Sequence, residues 1–133
     1  MLLALYLALF AGGTGSPVTA DMFLLEMKTA VVQIVVEADR QQQAVNAVED
    51  LTRSLGDFRK LRADVSRTLE IVDADYGAVY EDYMREIRTL EKSWLDFETE
   101  VGRSHNKVTR ILTDDEWGAL VDHLKSYVKG KNQ

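Results

Sequence analysis

Cysteine is absent from the 133 residues. That removes disulfides, Cys-based zinc sites, thiol catalysis and lipid attachment through a cysteine. The fold must be held by burial, which a chain of this length can supply. Proline occurs once and glycine eight times. Sandwiches and barrels need a turn signal roughly every 8–12 residues, so this shortage of breakers points to helices. Positive charge is also short, with 16 Lys and Arg against 22 Asp and Glu for a net charge of −6. A nucleic-acid binder needs a basic face for the phosphates, and that class is excluded. Apolar residues at 46% and charged residues at 29% match an ordinary folded domain rather than a polytopic membrane protein or a disordered acidic tail.

Charge of either sign is missing from residues 1–20, and all 38 charged side chains follow them. Leu2 to Ala11 is an unbroken apolar run of ten. Gly12, Gly13, Gly15, Ser16 and Pro17 come next, then Val18-Thr19-Ala20 ahead of Asp21. The pattern is that of an export signal cleaved after Ala20, although no Lys or Arg precedes the apolar run. A retained anchor and a buried terminal helix are the alternatives. Ten helical residues reach only about 15 Å where a bilayer core needs about 30 Å. The expected location is extracytoplasmic, periplasmic or secreted, with membrane anchoring through residues 1–20 as the alternative. Residues 21–133 are expected to form a single helical domain.

Apolar positions Leu24, Met27, Val31, Ile34, Ala38, Val45, Val48 and Leu55 follow a 3-4 spacing. They predict one amphipathic helix, interrupted or not around Gln41-Gln42-Gln43, which favours helix. Leu25, Val32, Val35 and Val36 add a second apolar face. A second helix is expected from Gly56-Asp57, with Phe58, Leu61, Val65, Leu69 and Val72 inward. From Tyr76 the seam is strict: Tyr76, Tyr80, Tyr83, Ile87, Leu90, Trp94, Phe97 and Val101 are separated by 4, 3, 4, 3, 4, 3 and 4. Such spacing has the character of a coiled coil. A stutter between Leu69 and Tyr80 coincides with Asp73-Ala74-Asp75 and Gly77, where a kink or turn is expected. Gly102 is expected to end the long helix and Arg103–Lys107 to form a loop. A last helix should start at the capping-box pattern Thr113-Asp114-Asp115-Glu116 and stop at Gly130. The fold class is therefore all-α, an elongated hairpin or a bundle of three or four helices, with a homodimer covering the long seam.

Groups that could converge on a reaction are scarce. His105, placed in the expected loop, and His123 lack a second imidazole at a ligand spacing and read as solvent-facing. Gly13-Thr14-Gly15 is the lone G-x-G and lies in the presumed signal. Asp73 to Gly77 has the outline of a calcium loop, but its glycine comes one place early and Met84 stands where a bidentate Glu is needed. Glu70, Asp73, Asp75, Glu81, Asp82 and Glu86 read first as a solvated face. No catalytic, cofactor or metal residue is nominated, and the chain is expected not to be an enzyme.

Leu112-Thr113-Asp114-Asp115-Glu116 at the start of the last helix, with Leu51-Thr52-Arg53-Ser54-Leu55 as a first copy, resembles the LTxxQ motif of periplasmic helical stress chaperones and metal-stress sensors. Glu116 and Leu55 stand where that motif has its Gln. The resemblance spans roughly residues 51–125. It implies a dimeric, cradle-like helical hairpin that holds partly unfolded proteins or reports envelope stress without ATP.

The residues themselves lead to an interaction module, chaperone-like or adaptor-like, that binds polypeptides through an apolar helix face. The candidate contact residues are Leu25, Val32 and Val36 together with Tyr76, Tyr80, Tyr83, Trp94 and Phe97. The competing classes are a structural subunit of a membrane-associated assembly and a metal or small-ligand sensor using the acidic segment.

Overall fold

The computed structural model describes residues 18–75, 77 and 79–131. Four helices account for 91% of them, with no strand among the described residues. They are α1 (Ala20–Ile34), α2 (Ala38–Ala74), α3 (Tyr80–Ile111) and α4 (Asp114–Lys131). The protein is all-α, as its few breakers require.

Thr19 starts α1, its hydroxyl accepting from the Met22 amide at 3.2 Å. The Ala20–Asp21 bond, the expected cleavage point, thus lies in the first turn of α1. The helix ends where Val35 turns extended (φ −91°, ψ 103°). Glu37 then starts α2, its carboxylate accepting from the amides of Asp39 at 3.1 Å and Arg40 at 2.9 Å. The interruption precedes the glutamine run, which is helical. Gln41 bridges the break by donating its side-chain amide to the carbonyls of Val32 (2.8 Å) and Val35 (2.9 Å). Helix-end carbonyls of this kind otherwise lack a partner.

Three expected boundaries are corrected. No helix begins at Gly56, because α2 runs through it. Buried Ala44, Val48, Leu51, Leu55 and Phe58 keep steps of 4, 3, 4 and 3 across the glycine, and that repeat outweighs its cost of about 1 kcal/mol. Likewise α3 continues through Gly102, so Arg103–Lys107 are helical and His105 is not in a loop. The inward stripe Phe97, Val101, Ser104, Val108 and Leu112 persists with steps of 4, 3, 4 and 4. Gly130 also lies within α4 instead of ending it. The turn expected at Gly77 is present between α2 and α3. Tyr76, the first seam residue, lies outside the described residues.

The described residues divide into two compact units, one within residues 18–52 and 101–131 and one within residues 53–100. In the first, α1 packs against α4. Phe23, Leu24, Met27 and Val31 of α1 and Leu120 and Leu124 of α4 are all buried to 2% exposure or less. Lys28 of α1 pairs with Glu49 of α2 at 2.8 Å, and buried Ser104 of α3 donates to the Ala47 carbonyl of α2 at 3.2 Å. In the second, Leu55, Phe58, Val65 and Phe97 form the buried set. Replacing Leu120 by Ala should cost about 2–5 kcal/mol through the cavity it leaves. Ile71→Ala, at a site 70% exposed, should stay within about 0.5 kcal/mol. Chemical denaturation of the two variants checks both values.

Candidate interaction surfaces

Arg40, in the first turn of α2, binds the ends of two other helices in the first unit. Its guanidinium grips the Glu116 carboxylate with both terminal nitrogens, one at 3.2 Å, and donates to the Ile111 carbonyl at 3.3 Å. Glu37 lies 3.4 Å from its Nε. The expected capping box is formed: the Thr113 amide donates to Glu116 at 2.8 Å and the Glu116 amide donates to the Thr113 hydroxyl at 3.2 Å. Hydrogen bonds from Arg40 and then from the Thr113 amide pull the Glu116 carboxyl down to about 2, and the same pairing raises Arg40 above its ordinary value. The other motif copy, Leu51-Thr52-Arg53-Ser54-Leu55, lies inside α2, where the Thr52 hydroxyl bonds the Val48 carbonyl at 3.0 Å and caps nothing.

The expectation that both histidines face solvent is corrected. His105 stands edge-on to Trp117, the ring centres 5.2 Å apart, and its Nδ1 is buried without a hydrogen-bond partner among the described residues. Burial lowers its pKa. His123 of α4 meets Glu26 of α1, Nε2 to carboxylate oxygen at 2.6 Å.

The outward face of α1 carries Leu25 (66% exposed) and Val32 (48%), and Val36 (87%) is exposed in the break between α1 and α2. These three of the eight nominated contact residues lie together on the surface of the first unit. The aromatic five do not form one surface. Tyr80 is 70% exposed, while half-buried Tyr83 donates its hydroxyl to Asp73 at 3.1 Å, a bond that raises its pKa. Trp94 is half-buried and Phe97 buried. Phe97 is corrected from free contact residue to core: its ring stacks on Phe58 with centres 5.5 Å apart, and Trp94 tilts against both at 5.4 and 5.9 Å.

Beside that aromatic cluster an open cleft of about 370 Å³ lies between α2 and α3 of the second unit. Phe58, Leu61 and Phe97 supply apolar lining, and Asp57, Asp96 and Glu100 supply carboxylates. The spacing of the acids along each helix was readable, but their meeting was not. Sequence reasoning placed the acidic interest further on, in residues 70–86, where structural roles occupy several of the carboxylates. Asp75 accepts from the Gly77 amide at 2.9 Å and Asp82 from the Val79 amide at 3.1 Å, in the manner of turn and helix-start caps. Among the described residues no group of three or more His, Cys, Asp or Glu could hold a metal ion.

No family model, curated protein or solved structure matches this chain.

Two pH effects follow. Glu116, held near 2, contributes stability that is complete above its ordinary value of 4.5 and is lost as pH falls from there toward 2. Glu116→Ala should cost about 1 kcal/mol at neutral pH through the lost cap alone, and should flatten that acid limb in denaturation curves. His105 has the same sign at higher pH. Its folded pKa lies below 6.5, so stability is complete above 6.5 and declines as pH falls below it. Thermal melts of wild type and His105→Gln should show a smaller decline for the variant between pH 7.5 and 5.5.

Proposed function

We propose that this protein is a non-enzymatic, extracytoplasmic interaction module, chaperone-like or adaptor-like, that engages other polypeptides through the apolar stripe Leu25, Val32 and Val36. The observation that carries the proposal is that apolar surface itself: Leu25 and Val32 are exposed on α1 although its opposite face is well buried, and Val36 is exposed just beyond the end of the helix. Clustered exposed apolar groups mark binding surfaces. The shifted ionisable groups support a non-catalytic role, since Glu116 and Tyr83 are held by Arg40 and Asp73 in pairs that fasten helices. The LTxxQ-like segment at Leu112–Glu116 favours the chaperone-like form of the proposal. Among the described residues no helix is long and apolar enough to cross a membrane.

A homodimer belongs to the same proposal. Ile87 (38% exposed) and Leu95 (59%) stand out from α3, and Leu90, Trp94 and Leu95 border an apolar hollow of about 380 Å³. A second copy would cover that face, as in other helical seams.

The test is suppression of aggregation of a chemically denatured test protein at near-stoichiometric ratio. Gln at positions 25 and 32 keeps or improves helix propensity, and position 36 lies between α1 and α2. Leu25→Gln/Val32→Gln/Val36→Gln should therefore leave the circular dichroism melt close to wild type and abolish most of the suppression. Equal suppression by wild type and triple variant would overturn the assignment of the stripe.

A further inference from the structure

In the second unit α3 leaves one side open. Met84, Ile87, Arg88, Glu91 and Leu95 follow one another at steps of 3, 1, 3 and 4, which puts them on one face of the helix. Ile87 and Leu95 are 38% and 59% exposed. Arg88 and Glu91 are also exposed, and Met84 is half-buried. Leu90, Glu91, Trp94 and Leu95 border the apolar hollow on the same side. Two opposite charges therefore stand in the middle of a largely apolar face. Among the described residues, neither the Arg88 nor the Glu91 side chain has a hydrogen bond or ion pair. Pairing within the helix is also disfavoured, because Arg before Glu is the poorer order for neighbours one turn apart.

We propose that two copies of this chain pair through that face with their α3 helices antiparallel, about a twofold axis between Thr89 and Leu90, so that Arg88 of each copy meets Glu91 of the other. Charge complementarity selects this direction. A parallel twofold pair sets each residue against its own copy, Arg88 on Arg88 and Glu91 on Glu91, and repels at both. The antiparallel pair instead closes two reciprocal Arg–carboxylate contacts. In the same register Met84 comes level with Leu95 of the second copy, and Ile87 lies between its Glu91 and Leu95. Met84 and the methylene stem of Arg88 then cover the second copy's hollow at Leu90, Trp94 and Leu95. The overlap runs from Tyr80 to Thr99, about 30 Å of helix, and stays inside the second unit. Glu81 and Glu98 fall level at the two outer ends, where salt screens them. The proposal rests on the reading of the chain as a homodimer, and names the face, direction and register of its interface.

Sedimentation equilibrium of the full chain reads the dimer constant. Arg88→Glu and Glu91→Arg, both at exposed sites, should each weaken the dimer about tenfold or more while the helical circular dichroism is retained. Lys125→Glu, the same change of charge as Arg88→Glu but on α4, should weaken it less than about twofold. Mixed in equal amounts, the Arg88→Glu and Glu91→Arg chains should form a heterodimer within about threefold of the wild-type constant, because each offers the other only opposite charges. Because the chain has no cysteine, a single nitroxide label at Lys92→Cys or Thr99→Cys reports the direction by electron paramagnetic resonance. The antiparallel register separates the two Thr99 sites by about 28 Å along the helix axis and the two Lys92 sites by about 8 Å. A parallel pair gives the same short distance at both. Equal losses in Arg88→Glu and Lys125→Glu, no recovery in the mixture, or equal distances at the two labels would each overturn the proposed pairing. If wild type is dimeric when one of these is found, only the pairing falls; a wild type that stays monomeric at all concentrations removes the homodimer reading as well.

Discussion

The bidentate pairing of Arg40 with Glu116 is the interaction on which the first unit depends. It joins the first turn of α2 to the first turn of α4, and the same guanidinium reaches the Ile111 carbonyl at the end of α3. Three helix ends are thereby fastened by one planar group. A charge-assisted, two-pronged bond fixes orientation as well as distance, and an ammonium in its place would fix distance only. Glu116 serves the capping box with the same carboxylate. The cap and the clamp therefore share one carboxylate, and together they set the start of α4 relative to α2.

Given that clamp, the sorting of apolar residues follows. The inward stripe of α1 and the Leu120 and Leu124 pair of α4 share one buried interior. Leu25 and Val32 remain outside because α1 has more apolar residues than one stripe of a helix can bury, and Val36 is exposed in the break that follows. In the second unit the stacking of Phe58 on Phe97 places bulky rings in the interior and leaves the acids of α2 and α3 at the cleft. Apolar surface at Leu25, Val32 and Val36 is what this packing leaves exposed.

Many of the polar side chains that look like chemistry in the sequence do structural work at breaks in the helices. Glu37 starts α2, Gln41 closes the carbonyl end of α1, Asp82 holds the start of α3, and Asp75 shapes the turn at Gly77. Each satisfies a backbone group that a helix end exposes. The proton affinity of His105 is lowered by its burial, beside Trp117.

The sequence by itself determined the all-α class, the turn near Gly77, the capping box at Thr113 and Glu116, and the identity of most buried positions. These depend on local periodicity and on contacts within a turn of helix, which the order of residues contains. It misplaced the breaks at Gly56, Gly102 and Gly130, because a glycine on the outside of a packed helix costs about 1 kcal/mol while the buried stripe beside it contributes more. Leu51, Leu55 and Phe58, or Val101, Ser104 and Val108, held that signal in their spacing. Only the tertiary structure decided that Arg40 meets Glu116, that Gln41 caps α1, that His105 sits on Trp117 and that Phe97 is interior. Each joins groups from different helices or across a helix break, and a period of 3.6 residues says which face a side chain is on without saying what that face will meet.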